Sequence, residues 1–333
     1  MKPSPLPPLA QPGYWLALAW LGLVAAVGLL APWLPLPYPA AAPDLLHIAT
    51  PPAWLGAGPA HYLGTDALGR DVLAGLVVGA RRLLALSLPA VGLATLLGAL
   101  AGATAGFWGN RLRVPLAAAT GLLAAAWWGW SLPIYFIFIL LIISTLLLII
   151  IKWRRAAARQ AALTVALPLD GLVMGATTLL GAVPRLILLV ALAAGTPLAP
   201  AQLLGVLALL AWPEPARLVR AQMLRVRALP FLEAARASGL PEGRIWWHHA
   251  LPHACRPLWA FTPLSLGGLI GLESALAFLG IGQAPDVVSW GSMLASVRQA
   301  PAAWWVAAGP GLALLLTLLS LQQIARFLAK KMA

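Results

Sequence analysis

Long windows of this chain contain no charged residue, among them Leu83–Asn110, Val114–Ile151 and Gln299–Ala325. Each exceeds the ~20 apolar residues that carry a helix across a hydrocarbon core. Inside a bilayer every backbone N–H and C=O must find a partner within the chain, which leaves only helices and closed barrels. These runs are continuous rather than alternating, so they are helices. Charged residues make up 9% of the 333, against roughly a quarter in soluble domains. A water-soluble core could not hide the apolar surface that remains. The expected fold is therefore an all-α polytopic membrane protein.

The chain divides by composition. Residues 1–35 form a Pro-rich tail and a first helix, Tyr14–Leu34, which is long enough to be retained rather than cleaved as a signal peptide. Residues 36–82 form a Pro-rich outer segment, and 83–113 a second helix with two arginines after it. Residues 114–160 read as an inserted helical hairpin, broken at Gly129–Pro133, and a basic loop. Residues 161–325 hold the remaining spans, and 326–333 a short basic tail. The region 161–213 can be cut as 161–184 plus 186–211 or as 171–195 plus 200–218. The break Thr196–Pro200 favours the second cut, and either gives two crossings. Further spans at 257–281 and 303–325, separated by a polar stretch at 284–301, bring the expected count to about eight.

The net charge of +13 is not a nucleic-acid signature, because the basic residues cluster at helix ends. With the N-terminus inside, 17 of the 22 Lys and Arg residues fall on one side. Arg70, Arg81, Arg82 and Arg298 fall on the other, and Arg185 lies within a span. This bias puts both termini, and the loop after the sixth crossing, in the cytoplasm. The one cysteine, Cys255, excludes an internal disulfide.

That loop, 230–252, is charged and turn-broken. Pro230 suits the first turn of a helix over Phe231–Ser238, and Gly239 suits its C-terminal cap. Pro241 opens a second short helix through Trp246, expected to stop before Pro252. Small residues (Ala234, Ala235, Ala237) alternate with charges (Glu233, Arg236, Glu242, Arg244) and two tryptophans. Such a knob suits docking to another protein. It is equally what a solvated loop anchored by interfacial tryptophans would look like.

Glu233-Ala234-Ala235, then Gly239, then Leu251-Pro252 twelve residues after that glycine, resembles the EAA loop of permease subunits in bacterial binding-protein-dependent ABC importers. Residues 63–81, 216–239 and 273–294 are similar to the "C" permeases of the dipeptide, oligopeptide and nickel branch. The resemblance implies a type I importer core of six helices, here carrying the inserted hairpin. It implies that Glu233, Ala234, Ala235, Gly239, Leu251 and Pro252 form the loop that couples to the ATPase. It also implies a second permease as a heterodimer partner, two ATP-binding subunits and an extracytoplasmic substrate-binding protein. Asp170 and Met174 look like the family's D-x-x-x-M pair, whereas an Arg and an Asp usual in that segment stand here as Gly175 and Thr178.

No lysine follows a G-x-x-x-x-G phosphate loop. The expectation is a chain that is not an enzyme and holds no cofactor, ATP and Mg being bound by partner subunits. His248, His249 and His253 could offer a metal site only if Pro252 did not interrupt their helix, so none is expected. Ionisable groups inside spans are functional candidates. Arg185, about 14 residues into a helix over 171–195, could line the pathway, pair with a buried acid, or snorkel. Glu273 is a structural or gating candidate. Gly64-Thr65-Asp66 reads as the cap of a short external helix, with Asp71 and Arg70 as a surface pair. The function expected is the permease subunit of a peptide or nickel importer in the bacterial inner membrane. The alternative is a self-sufficient secondary transporter or channel, which would work without partners. An intramembrane enzyme would need a convergent acid or metal cluster, and none is seen.

Overall fold

The computed structural model describes residues 12–40, 42–55, 61–110, 112–115, 164–193, 198–282, 284 and 287–332. Nearly all of the expected hairpin over 114–151, and the basic cluster Lys152–Arg159, lie outside these residues. In chain order the long elements begin with α1 (Pro12–Leu30) and α2 (Val72–Trp108). Two short strands follow, β1 (Leu112–Pro115) and β2 (Thr164–Leu167), paired antiparallel with Leu112 opposite Leu167. The all-α expectation therefore gains one small ladder. Next come α3 (Leu169–Ala182), α4 (Arg185–Ala193), α5 (Pro200–Ala211) and α6 (Pro213–Val226). The loop region forms α7 (Pro230–Ala237), α8 (Glu242–Ile245), a π-helical turn over Trp246–Ala250, and α9 (Leu251–Ala254). The chain finishes with α10 (Leu258–Leu279), α11 (Trp290–Ser296) and α12 (Trp304–Met332).

Among the described residues α1, α2, α10 and α12 are long and apolar enough to cross a bilayer, and α3 with α4 would make a fifth span if the broken pair counts as one. Three expectations change. The second span does not start at Leu83 after a separate external helix; α2 is one helix of 37 residues running through Pro89, about 55 Å long. The helix expected over 171–195 breaks at Val183, which is extended (φ −105°, ψ 134°) because Pro184 disfavours the helical region for the residue before it. The span expected over 200–218 is divided at Trp212, where Pro213 starts α6.

The chain forms two compact units, residues 1–91, 185–204 and 260–333, and residues 92–184 and 205–259. In the first, α1 packs on α12. Tyr14 stacks on Phe327 at 4.1 Å, and Trp20 Nε1 donates to Thr317 Oγ1 at 3.1 Å. Rising numbers meet falling ones, so the two helices run antiparallel. Within the polar stretch at 284–301, Val288, Ser289, Trp290, Gly291, Met293 and Ser296 are buried. Ser289 and Ser292 form a capping box at the start of α11, and Trp290 Nε1 donates to the Leu76 carbonyl at 3.0 Å. Gly75 and Gly79 of α2 make room for Met293 and Trp290.

The segment before α2 is tied by its own polar groups. Asp71, not Thr65 or Asp66, caps α2, accepting from Ala74 N at 2.7 Å. It is 6% exposed and so is no surface pair with Arg70. Asp66 closes a turn, accepting from Leu68 N and Arg70 N, both at 2.8 Å. His47, with the Leu46 N–H, holds the Asp44 carboxyl below the usual carboxylate range.

In the second unit α2 meets α6 along a stripe of glycines. Gly98, Gly102 and Gly106 recur every fourth residue and so share one helix face. A Cβ at Gly98 would sit 2.6 Å from Pro215 Cγ and from the Trp212 carbonyl. One at Gly102 would overlap the Ala216 carbonyl, and one at Gly106 would sit 2.8 Å from Met223 Cβ. From the other side α6 presents Ala216, Val219 and Met223, each fully buried. Small residues at four-residue spacing let helix backbones touch, which drives association in lipid where no hydrophobic effect separates helix from solvent. We expect Gly102→Leu to lower the melting temperature of the purified protein sharply, an overpacking cost of about 1–3 kcal/mol or more. Gly92→Leu, at a position with open space, should melt as the parent does in the same thermal assay.

Candidate functional site

The candidate site is the knob between α6 and α10, in the second unit. It begins with how α6 is held. Arg220 of α6 grips Asp170 of α3 through two parallel bonds, Nε to Oδ1 and Nη2 to Oδ2. Arg217 donates to the Thr177 carbonyl, and Arg227 Nη1 donates to the Gly106 carbonyl at 3.2 Å. The fork geometry fixes orientation as well as proximity. Asp170, the acid of the D-x-x-x-M pair, thus meets an arginine.

The helix expected over 231–238 forms as Pro230–Ala237, with Pro230 at its first position. Its end is a Schellman turn. Gly239 N donates to the Arg236 carbonyl at 2.9 Å and Leu240 N to the Ala235 carbonyl at 3.3 Å. Gly239 sits at φ +76°, the left-handed region that favours glycine. Within α7 only Leu232 is fully buried. Glu233, Ala234, Arg236 and Ala237 are exposed, and Ala235 is half-buried. Arg236 Nε pairs with Glu242 at 2.9 Å, which holds α7 to α8.

The second helix departs from expectation. It does not stop before Pro252 but continues through it to Ala254. A proline in a helix has no N–H to donate, and its ring clashes with the carbonyl four residues back. The π-turn over Trp246–Ala250 widens the helix just before that point and accommodates both. Ile245, Ala250 and Ala254 are fully buried, and Trp246 packs on Trp108 at 5.3 Å. Leu251 is half-buried and Pro252 exposed. The knob therefore has a packed inner face and an outer face of small and charged residues. His253 Nδ1 bonds the His249 carbonyl at 2.9 Å, and Phe231 stacks on His253 at 5.1 Å.

The two intramembrane candidates lie apart from the knob in the chain. Glu273, 7% exposed, accepts from Arg82 Nε at 3.3 Å. Arg82, read from sequence as an outside charge, is thus a partner for a buried acid on another helix. Arg81 and Arg82, with Leu86, Pro200, Leu204 and Val288, line a cavity of ≈ 520 Å³ in the first unit. Arg185 is not deep within a continuous helix. It is the half-buried first residue of α4, directly after the break at Val183.

Sequence reasoning missed the glycine stripe that carries α6, although the Gly98-x3-Gly102-x3-Gly106 spacing announces it. It also missed the Arg82–Glu273 pair, for which sequence carries no signal. Those residues are 191 positions apart, and only folding brings them together.

A family model described as "Binding-protein-dependent transport system inner membrane component" matches residues 156–333. The chain is 30% identical over 306 residues to the di/tripeptide transport system permease protein DppC of Pseudomonas aeruginosa, covering 91% of this chain and 82% of that one. It is 28% identical over 295 residues to a putative peptide permease protein of Brucella suis, covering 87% and 76%. A putative peptide transport system permease protein of Brucella abortus is 27% identical over 310 residues, covering 93% and 83%.

Cys255, just after α9, is half-buried, and burial pushes its thiol up to about 11. At pH 8 that leaves roughly one thiolate in a thousand, against about a quarter for a free cysteine thiol. Maleimide labelling of the intact protein should therefore be roughly 200-fold slower than in denaturant. Labelling at the rate of a free thiol would show that the site is open.

Proposed function

The chain belongs to the family of binding-protein-dependent transport system inner membrane components, and on that premise we propose that it is a permease subunit of an ATP-driven peptide importer in the bacterial inner membrane. The carrying observation is the knob. It couples a rigidly held inner face to an exposed outer face with the EAA pattern, on a chain whose curated relatives are named as peptide permeases. Glu233, Ala234, Ala235 and Gly239 present the surface for an ATP-binding subunit, with Leu251 and Pro252 at the foot of the second helix. Two such subunits, a second permease and a substrate-binding protein complete the assembly, and ATP with Mg is bound by those partners. The knob and both termini face the cytoplasm. The lysine and arginine bias supports this, as does the antiparallel α1–α12 pair, which puts the start of α1 beside the end of α12.

Transport then follows from bistability. ATP binding favours one arrangement of the motor, and a docked element carries that bias into the membrane as a rigid-body shift. The fork between Arg220 and Asp170 and the glycine stripe make α6 stiff enough to pass on the motion of α7. Glu273, paired with Arg82, serves the structure around the pathway. Arg185 begins a half-helix after a break. Non-helical backbone at membrane depth is tolerated where it is buried in protein or lines a water-filled cavity, and this supports a reading of Arg185 as a residue of the path.

Gly239→Val should insert and melt nearly as the parent does. A Cβ there meets open space, so the cost is the ~1–2 kcal/mol of a left-handed residue rather than a clash. Peptide uptake by proteoliposomes holding the full importer should nevertheless fall to background; normal uptake would refute the role given to the turn. A single cysteine at Glu233 in a Cys255→Ser background should react with impermeant maleimide only from the cytoplasmic side. Uptake by this chain alone, with no ATPase present, would favour a secondary transporter instead.

A further inference from the structure

We propose that Asp44, His47 and His61, in the segment between α1 and α2, bind one divalent transition cation of the zinc class. His61 is 4% exposed. Its Nδ1 lies 2.8 Å from Asp71 Oδ2. An ionised carboxylate accepts, so a proton on Nδ1 satisfies that bond, and in that tautomer Nε2 offers its lone pair to a metal. Nε2 points at Asp44, whose Oδ2 is 3.4 Å away. That is long for a hydrogen bond. It is the separation expected between neighbouring donors of a tetrahedral site, about 3.3 Å for metal–ligand bonds of ~2.0–2.1 Å.

The third donor is His47 Nδ1, 2.8 Å from the same Asp44 oxygen. The donor atoms of Asp44, His47 and His61 all lie within 4.8 Å of one another. Binding would exchange the His47–Asp44 hydrogen bond for two metal bonds and open that contact by about 0.5 Å. Two imidazoles and one carboxylate, with a fourth position for water, suit zinc and its neighbours. Calcium and magnesium demand oxygen cages. Asp71 supplies the outer carboxylate that orients a ligating histidine in such sites.

The scaffold holds these donors in place without a metal. Asp44 N donates to the Gly69 carbonyl at 2.9 Å, and Ala49 N to the Asp66 carbonyl at 2.9 Å. Thr65 Oγ1 donates to the His47 carbonyl and accepts from Thr50 N. Tyr38 stacks on the His61 ring at 4.0 Å. Asp44 and His61 are 17 residues apart, so an ion between them staples the outer segment into a closed loop.

The test uses the full-length protein, purified without an oligohistidine tag, stripped with EDTA and titrated with Zn²⁺ against a chromophoric chelator. One zinc per chain is expected, and Co²⁺ in its place should give the intense visible absorption of a tetrahedral site. His47 is 40% exposed at its side chain, so His47→Ala should fold normally while weakening zinc binding at least about tenfold. His61→Ala should abolish binding; should it fail to fold, His47→Ala decides alone. The chain's other histidines, His248, His249 and His253, give the control. The triple alanine variant should bind zinc as the parent does. No stoichiometric zinc in the parent, or binding that survives His47→Ala but vanishes in the triple variant, overturns the proposal.

Discussion

Backbone touches backbone where α2 meets α6, and the second unit depends on that contact. In lipid a leucine on a helix surface gains nothing by leaving the solvent, because the solvent is as apolar as the side chain. What holds helices together is dispersion at close range, hydrogen bonds and charge pairs. Gly98, Gly102 and Gly106 supply the closeness, since α2 puts no side chain of its own at these positions against the Trp212–Met223 stretch. At that distance Arg227 can reach the Gly106 carbonyl. On another face of α6, Arg217 and Arg220 reach into α3. The arginines are held by fixed partners rather than by water, so α6 has one position to occupy.

The knob inherits that definition. Its inner residues, Leu232, Ile245, Ala250 and Ala254, are fully buried, while Glu233, Ala234, Arg236 and Ala237 on its outer face are exposed. An element that passes force needs this asymmetry. The π-turn has a place in it. By widening the helix ahead of Pro252, it lets the second helix run on to Ala254, so the knob is joined to α10 through a three-residue turn at 255–257 rather than a loose loop. π-turns of this kind are frequent at functional sites.

Much of this was legible in the sequence. Long uncharged runs dictate spans, and Pro230 and Gly239 mark the ends of α7. These are local signals, in which the residue that causes the feature stands beside it. What was not legible depends on distant partners or on competition between local rules. Asp71 looked like an exposed partner of its neighbour Arg70, but a buried histidine ten positions away takes it inward. Arg185 looked deeply embedded because hydropathy does not register Pro184, whose effect on Val183 ends the helix. Pro252 looked like a stop because a proline usually is one, and the π-turn that admits it has no compositional mark. The stretch at 284–301 looked wet because its serines are polar, yet those serines spend their hydroxyls on their own helix.

The pairing of α1 with α12 bears on how the protein is made. Trp20 donates its indole N–H to Thr317, 297 residues later in the chain. A ribosome adding about 5–20 residues per second leaves the first helix waiting many seconds for that acceptor. Until then α1 rests in the bilayer without α12, its buried Gly28 facing Ala80 and Leu84 of α2. It is apolar on nearly every side, with only Ala17, Val24 and Gly28 buried in the finished molecule, and its backbone hydrogen bonds are satisfied internally. The α1–α12 contact is therefore a late event of biogenesis, closing only after α12 has emerged.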